Sequence, residues 1–243
     1  MGRVGAVAGS ASGAVQLPFN CGPASGIMRG AAAAPLQPGL FTYARQLLSL
    51  SPLPMKARPH VLVVTGKLDR GGTERHLLQM LPRLRACELD IEVFALRAGG
   101  VLTAAIRAGG VPVIEGTTRR GVLGVCTTAL HLLVILLTRR PHIVHCFLPE
   151  AYVVGGLCTA WWPRLRRVMS RRSLNHYQAR YPGIRLLERL LHRRMHAVLG
   201  NSAAVLTQLR AEGVDERRLP ASPRWSKHSR RRRRSNCSTP TTR

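Results

Sequence analysis

The sequence predicts an α/β domain: a parallel sheet with helices packed on both faces. Three observations predict it. Short β-branched runs alternate with helix-length segments from His60 to Leu219, which is the order of elements a parallel sheet requires. The strand runs are almost continuously apolar, as strands covered on both faces must be. The connections between them are of ordinary length, so six β units fit into about 160 residues without a long structureless loop.

The elements follow in order. His60–Thr65 is a buried strand, and Gly66–Gly72 a loop. Thr73 is placed to N-cap a helix from Glu74 to Ala86, with Leu77, Leu78, Met80, Leu81 and Leu84 on its buried side. Asp90–Leu96 alternates polar and apolar residues and reads as a half-buried strand. A short helix over Leu102–Ala108 leads through Gly109-Gly110 to a strand at Val111–Ile114. Leu123–Thr138 is an apolar helix stopped by Pro141, and His142–Phe147 the fourth strand. Ala151–Trp161 is a closely packed helix rich in small residues, and Arg167–Ser170 the fifth strand. A helix over Gly183–His196 precedes the sixth strand, Ala197–Gly200. Asn201-Ser202 then caps a helix running to Glu212.

The ends read differently. Residues 1–55 are rich in Ala, Gly, Pro and Ser and free of acid, without the n-region and apolar core of a secretory signal. They are expected to be a disordered extension with a short helix near Tyr43–Leu50, and Met55 is the expected true start. Residues 56–219 form the domain. Residues 220–243, with Arg230–Arg234 at their centre, cannot bury enough apolar surface to offset their ordering entropy and are expected to be a disordered tail.

The net charge of +26 and pI near 11.7 suggest a polyanionic partner. That inference is weak, because the basic residues are nearly all Arg and the pattern is equally explained by coding bias. Arg230–Arg234 carries no interleaved aromatics and no accompanying nucleic-acid-binding signature, so nucleic acid is not the expected partner. The six cysteines include no C-x-x-C pair, and no His stands at zinc-finger spacing from a Cys pair. Reduced, mostly buried thiols in a reducing compartment are expected, with no metal and no cofactor. Gly121–Thr138 is free of formal charge and about the minimum length of a membrane span. A helix packed on the sheet is the reading adopted, because His131 and several Thr and Gly interrupt the run and a strand follows at once.

Several motifs could carry chemistry. Gly71-Gly72 opens the first helix, where backbone amides and the helix dipole favour a phosphate. Neither G-x-G-x-x-G nor a Walker A pattern is present. His145 near the end of the fourth strand, Glu150 after it, and Arg171, Arg172, Asn175 and Tyr177 after the fifth gather at the edge where open α/β sheets bind ligands. For each a structural reading stands beside the functional one. His145 can be a core histidine, Glu150 a complement to a helix dipole, and the arginines a solvated loop. Trp161-Trp162 beside Arg164, Arg166 and Arg167 suits a membrane interface or a plain strand entry.

The succession of these motifs is more specific than any one of them. A strand followed by Gly71-Gly72-Thr73-Glu74-Arg75-His76, then Pro141-His142-Ile143-Val144-His145, then Ser170-Arg171-Arg172-Ser173, then Leu199-Gly200-Asn201-Ser202, resembles the N-terminal domain of retaining GT-B glycosyltransferases of the family-four type. The resemblance covers His60–Leu219 and implies one Rossmann-like half of a GT-B fold. It implies a sugar transferred from a nucleotide-sugar to a glycan or lipid-linked acceptor with retention, and no metal. Gly71 and Gly72 would lie beside the donor diphosphate. His145, Glu150, Arg171, Arg172, Asn175 and Tyr177 would line the acceptor side, and Asn201-Ser202 the interdomain crevice. Family members continue into a second domain with a pair of glutamates separated by seven residues. The arginine-rich tail stands in that place, so a truncated or frameshifted chain, inactive alone, is the expectation. The implied location is cytoplasmic, on the inner face of a membrane. The rival reading is a basic nucleic-acid-binding or noncatalytic partner protein gripping through its tail.

Overall fold

The computed structural model describes Leu47 and residues 58–119, 121–174 and 182–219. Among the described residues, six strands alternate with six helices. They are β1 (His60–Lys67), α1 (Gly72–Arg85), β2 (Asp90–Arg97), α2 (Thr103–Ala108), β3 (Val113–Thr117), α3 (Gly121–Arg139), β4 (Ile143–Phe147), α4 (Pro149–Thr159), β5 (Arg166–Arg171), α5 (Pro182–His192), β6 (Ala197–Gly200) and α6 (Ala203–Ala211). A single 3-10 turn, Glu216–Arg218, follows. The sheet runs β3-β2-β1-β4-β5-β6 with every pair parallel. The chain therefore reverses its direction of travel across the sheet between β1 and β4.

That reversal sorts the helices. Alternate residues of a strand point to opposite faces, so Val61 and Val63 enter the core beneath α1 and α2, while Leu62 and Val64 enter the core beneath α3 to α6. The first core is built from Leu77, Met80, Leu81 and Leu84 of α1 and Ile106 of α2 against the sheet. Leu47, helical and buried, joins it, so the segment ahead of Met55 supplies at least one core residue. The second core takes Leu132, Ile135 and Leu136 from α3, Tyr152 from α4, Leu191 from α5 and Leu206 and Leu209 from α6.

The departures from the sequence reading have physical causes. Helix α1 begins two residues early, because Gly71 supplies the extended cap residue and no side chain caps it. Strand β2 is not half-buried. It lies inside the sheet between β1 and β3, and its positions from Ile91 to Leu96 are all buried. Helix α3 is not fully buried: only one side of it meets the sheet. Ser202, by contrast, caps α6 as expected, its hydroxyl accepting from the Val205 amide at 3.3 Å. The remainder of the extension and the tail from Pro220 lie outside the described residues.

Candidate functional site

In an open parallel sheet the carboxyl ends of the strands diverge where the strand order reverses, and a crevice opens there. Here it lies between the ends of β1 and β4, with α1 and α4 starting on either side. The chain enters α4 through Leu148, at φ 72° and ψ 150°. A non-glycine residue in that region is strained, and the strain sits at the crevice. Sequence reading gave no sign of it, since nothing marks a leucine for positive φ.

The α1 side of the crevice carries Gly71 and Gly72. A Cβ on Gly71 would collide with the carboxylate of Glu74, which folds back against the helix start. A Cβ on Gly72 would meet nothing within 4 Å. The backbone at Gly72 is therefore open to solvent, and the first-turn amides of α1, which have no intrahelical acceptors, face outward beside it. Glu74 already brings one negative charge to this helix end. The open side of this helix start is therefore at Gly72 and the occupied side at Gly71.

His145 lies in the middle of β4 and is 1% exposed. Its Nε2 is 2.8 Å from the Ser170 hydroxyl, and its ring packs against Phe147 with centroids 4.3 Å apart. Burial, followed by the nearby His76, pushes its pKa down to about 3, so the ring is neutral at physiological pH. His76, on α1, is half-buried and pushed down to about 4 by burial and then by the charge of Arg172. The structure thus brings α1, β4 and the end of β5 together through His76, His145 and Arg172. His76 was not singled out from the sequence, although it stands four residues after Gly72, one helical turn along the same side.

Arg171 and Arg172 are adjacent in sequence and are separated by the fold. Arg171 shares the strand parity of Met169 and points into the core beneath α3 to α6, where it is 5% exposed. Its Nη1 donates to both carboxylate oxygens of Glu212, at 2.7 and 2.6 Å, and Nη2 is 3.7 Å from Glu188. His192 Nε2 is 3.1 Å from Glu212, and its Nδ1 is 2.6 Å from the Tyr152 hydroxyl. Burial works to raise the Glu212 pKa, but hydrogen bonds from His192 and Arg171 outweigh it and hold the carboxyl below its usual range. Arg171 therefore clamps α5 and the end of α6 to β5, and it also lines, with Leu148, Arg172 and Ser173, a pocket at the carboxyl ends of β4 and β5.

Two of the remaining candidates, Glu150 and Asn201, follow the carboxyl ends of β4 and β6. Glu150, in the first turn of α4, is ion-paired with Arg97 at the end of β2 and lies over Gly66. Asn201 donates from Nδ2 to the Arg172 carbonyl at 3.0 Å, tying the β6 end to the β5 end. Ser202 is spent on the α6 cap. Asn175 and Tyr177 lie outside the described residues. Arg167, read as part of a basic Trp/Arg face, is buried and donates to the carbonyls of Thr159, Trp162 and Arg194. Among the described residues no three His, Cys, Asp or Glu side chains gather to hold a metal, and the four cysteines are free.

The sequence profile of Glycosyltransferase Family 4 matches residues 70–224. No curated protein matches the chain. Among solved structures, HepE of Anabaena in complex with UDP and glucose superposes with a TM-score of 0.55 at 18% identity, covering 67% of this chain and 43% of that one. The same protein with UDP-glucose gives 0.55 at 17% identity, covering 72% and 49%. A UDP-GlcNAc 2-epimerase of Methanocaldococcus jannaschii gives 0.49 at 12% identity, covering 66% and 44%. At such identities the likeness to HepE is one of fold, and the chain spans less than half the length of these structures. The strand order, the Gly71-Gly72 helix start and the profile match over most of the domain converge on one assignment: the chain belongs to glycosyltransferase family 4, and its sheet is the Rossmann-like half of a GT-B fold.

Proposed function

We propose that this domain is the acceptor-side half of a retaining glycosyltransferase that uses a nucleotide-sugar donor and a lipid-linked or cell-envelope acceptor at the cytoplasmic face of a membrane. The observation that carries the proposal is the open backbone at Gly72, set at the start of α1 beside the crevice where the strand order reverses. There the first-turn amides and helix dipole are placed to stabilise negative charge developing on a departing diphosphate. UDP and UDP-glucose in the HepE structures support a nucleotide-sugar donor. The Arg172 guanidinium and the half-buried His76 supply the polar side of an acceptor pocket, with Asn201 fixing the Arg172 backbone. No metal is assigned a step.

In this reading the donor is gripped by a second Rossmann-like domain across the crevice, and differential binding of the transition state needs both halves. A polypeptide of these 243 residues alone is therefore expected to be inactive. The test is an assay with a panel of sugar nucleotides and lipid-phosphate acceptors. It uses the 243-residue protein, the same protein fused to a donor-binding family-four domain, and Gly72→Trp versions of both. Turnover by the fusion that Gly72→Trp abolishes is the expected result. Turnover by the unfused chain above its Gly72→Trp control would overturn the half-enzyme reading. A fusion whose turnover is unchanged by Gly72→Trp would remove the role given to the Gly72 backbone.

A further inference from the structure

We infer that the outer face of α3, with the exposed end of α4 beside it, is a membrane-contact surface that lies flat on an anionic bilayer. Successive residues of an α-helix are turned by about 100°, so Gly124, Thr128, Leu132, Ile135 and Leu136 share one side of α3 and are buried on the sheet. The opposite side carries Val122, Leu123, Leu130, Val134 and Leu137, all about half exposed or more, with Val122 at 79% and Leu123 at 73%. A surface helix ordinarily places charged or polar residues there, yet α3 has no charge before Arg139. Leu157 and Trp161 of the neighbouring α4 end extend the patch, and Trp161 is 76% exposed.

The charge around the patch identifies what covers it. Within α3 and α4 the one carboxylate is Glu150, at the start of α4 and at the opposite end of that helix from Leu157. Arg119 precedes α3, Arg139 ends it and Arg140 follows it, all three exposed. Where α3 ends, a groove of Leu136, Leu137, Trp162 and Leu165 is flanked by Arg140 and Arg164, and neither arginine is ion-paired with a carboxylate among the described residues. Apolar floor and cationic rim match the acyl boundary and phosphates of an anionic leaflet, with Trp161 at headgroup level. A second copy of the chain would bring the same arginines against themselves.

The helix lies on the bilayer and does not cross it. Its inner side is held by the sheet, with the Thr128 hydroxyl donating to the Leu96 carbonyl at 3.3 Å and Cys158 Sγ of α4 3.7 Å from the Ala129 carbonyl. Spanning would tear Leu132, Ile135 and Leu136 out of the core. The inference stands independently of any transferase activity, since it concerns a face behind the crevice.

The test is flotation of the full 243-residue chain with phosphatidylcholine vesicles, with and without phosphatidylglycerol. Because Arg230–Arg234 could bind anionic lipid unaided, it is run in a background carrying Arg230→Ser through Arg234→Ser. Expected are retention on the anionic vesicles, weaker retention on the zwitterionic ones, and a loss of about tenfold or more in Leu123→Asp/Leu130→Asp. That variant should keep the parent melting temperature, since both positions face solvent. Three results would each overturn the inference. The Asp variant could float like its parent, retention could vanish with the tail arginines alone, or the parent could be a lipid-indifferent dimer that the Asp variant makes monomeric.

Discussion

The two faces of one sheet bury polar groups by opposite means. Beneath α1, His145 and the half-buried His76 are kept neutral, and among the described residues no ion pair shares their core. Beneath α5 and α6, Arg171 is paired with Glu212 and Glu188, with His192 and Tyr152 completing the network. The outer surfaces differ as well. Helix α1 shows Arg75, Arg83 and Arg85 to solvent, whereas α3 shows leucine and valine. Beneath α1, burial chiefly holds the two histidines neutral, so neither needs a buried partner charge. Pairing suits the far face, where three elements must be held in place and nothing titratable needs to respond.

The largest effect should come from breaking the paired face. Glu212→Ala leaves Arg171 buried without its main partner and removes an acceptor from His192. A loss of about 3–5 kcal/mol is expected, typical of removing one partner of a buried ion pair. Urea unfolding of the variant measures it. A loss under about 1 kcal/mol would mean that the network relaxes or hydrates and is no clamp.

Next come the apolar cores, which should respond alike on the two faces. Leu81 of α1 and Leu132 of α3 are both fully buried. Truncation of either to Ala is expected to cost about 2–5 kcal/mol through lost transfer energy and the residual cavity. If Leu132→Ala cost much less than Leu81→Ala in the same denaturation series, α3 would be only loosely docked, and the flat-lying geometry argued for it would fail.

The neutral face makes the molecule sensitive to acid. His145 has a folded-state pKa of about 3 and His76 of about 4, both depressed from 6.5. The unfolded chain therefore binds protons first as pH falls, so their contribution to stability is complete above pH 6.5 and is lost between 6.5 and about 3 to 4. Glu212, also depressed, adds a loss only at lower pH, beginning below the ordinary carboxylate value. The unfolding free energy should fall from about pH 7 to about pH 4, with His145 contributing a slope no steeper than about 1.4 kcal/mol per pH unit, and the melting temperature should fall with it. His145→Gln should lower stability at neutral pH and flatten that slope. An unchanged slope would show that His145 does not titrate in this window.

How much of this was legible in the sequence depends on how local the information is. The sixth strand, Ala197–Gly200, and the Ser202 cap were read correctly, since a short apolar run and a cap residue are local signals. Strand β2 was misjudged because Asp90 and Glu92 imitate the alternation of a half-exposed strand, while α1 and α2 cover one of its faces and α3 the other. The split between Arg171 and Arg172 was partly readable: once Met169 is assigned to one core, parity sends Arg171 there too. What the sequence could not supply was the partner, because Glu212 lies 41 residues further on and meets Arg171 only through the packing of α5 and α6. The placement of His76 beside His145 was hidden for the same reason. Two residues on different elements come together only when α1 docks across β4. The outer face of α3 was misread differently. Its apolar composition was visible, and burial was the natural inference from it, but one side of the sheet has room for only one side of the helix.

The smallest effect is the one that sharpens the contrast between α1 and α3 furthest. If α3 faces water or lipid rather than protein on its outer side, a charge placed there costs the fold almost nothing. Leu130→Asp should shift stability by no more than about 0.5 kcal/mol in the absence of lipid, as surface substitutions do. Leu132→Asp, two residues away on the inner side, should prevent folding, since an unpaired carboxylate cannot be buried against the sheet. Thermal melts of the two variants decide the matter. A loss above about 2 kcal/mol for Leu130→Asp would mean that part of the protein itself covers this face. The exposed leucines would then be core residues of a larger packed structure, and the difference between the two helices would be one of which neighbour hides them.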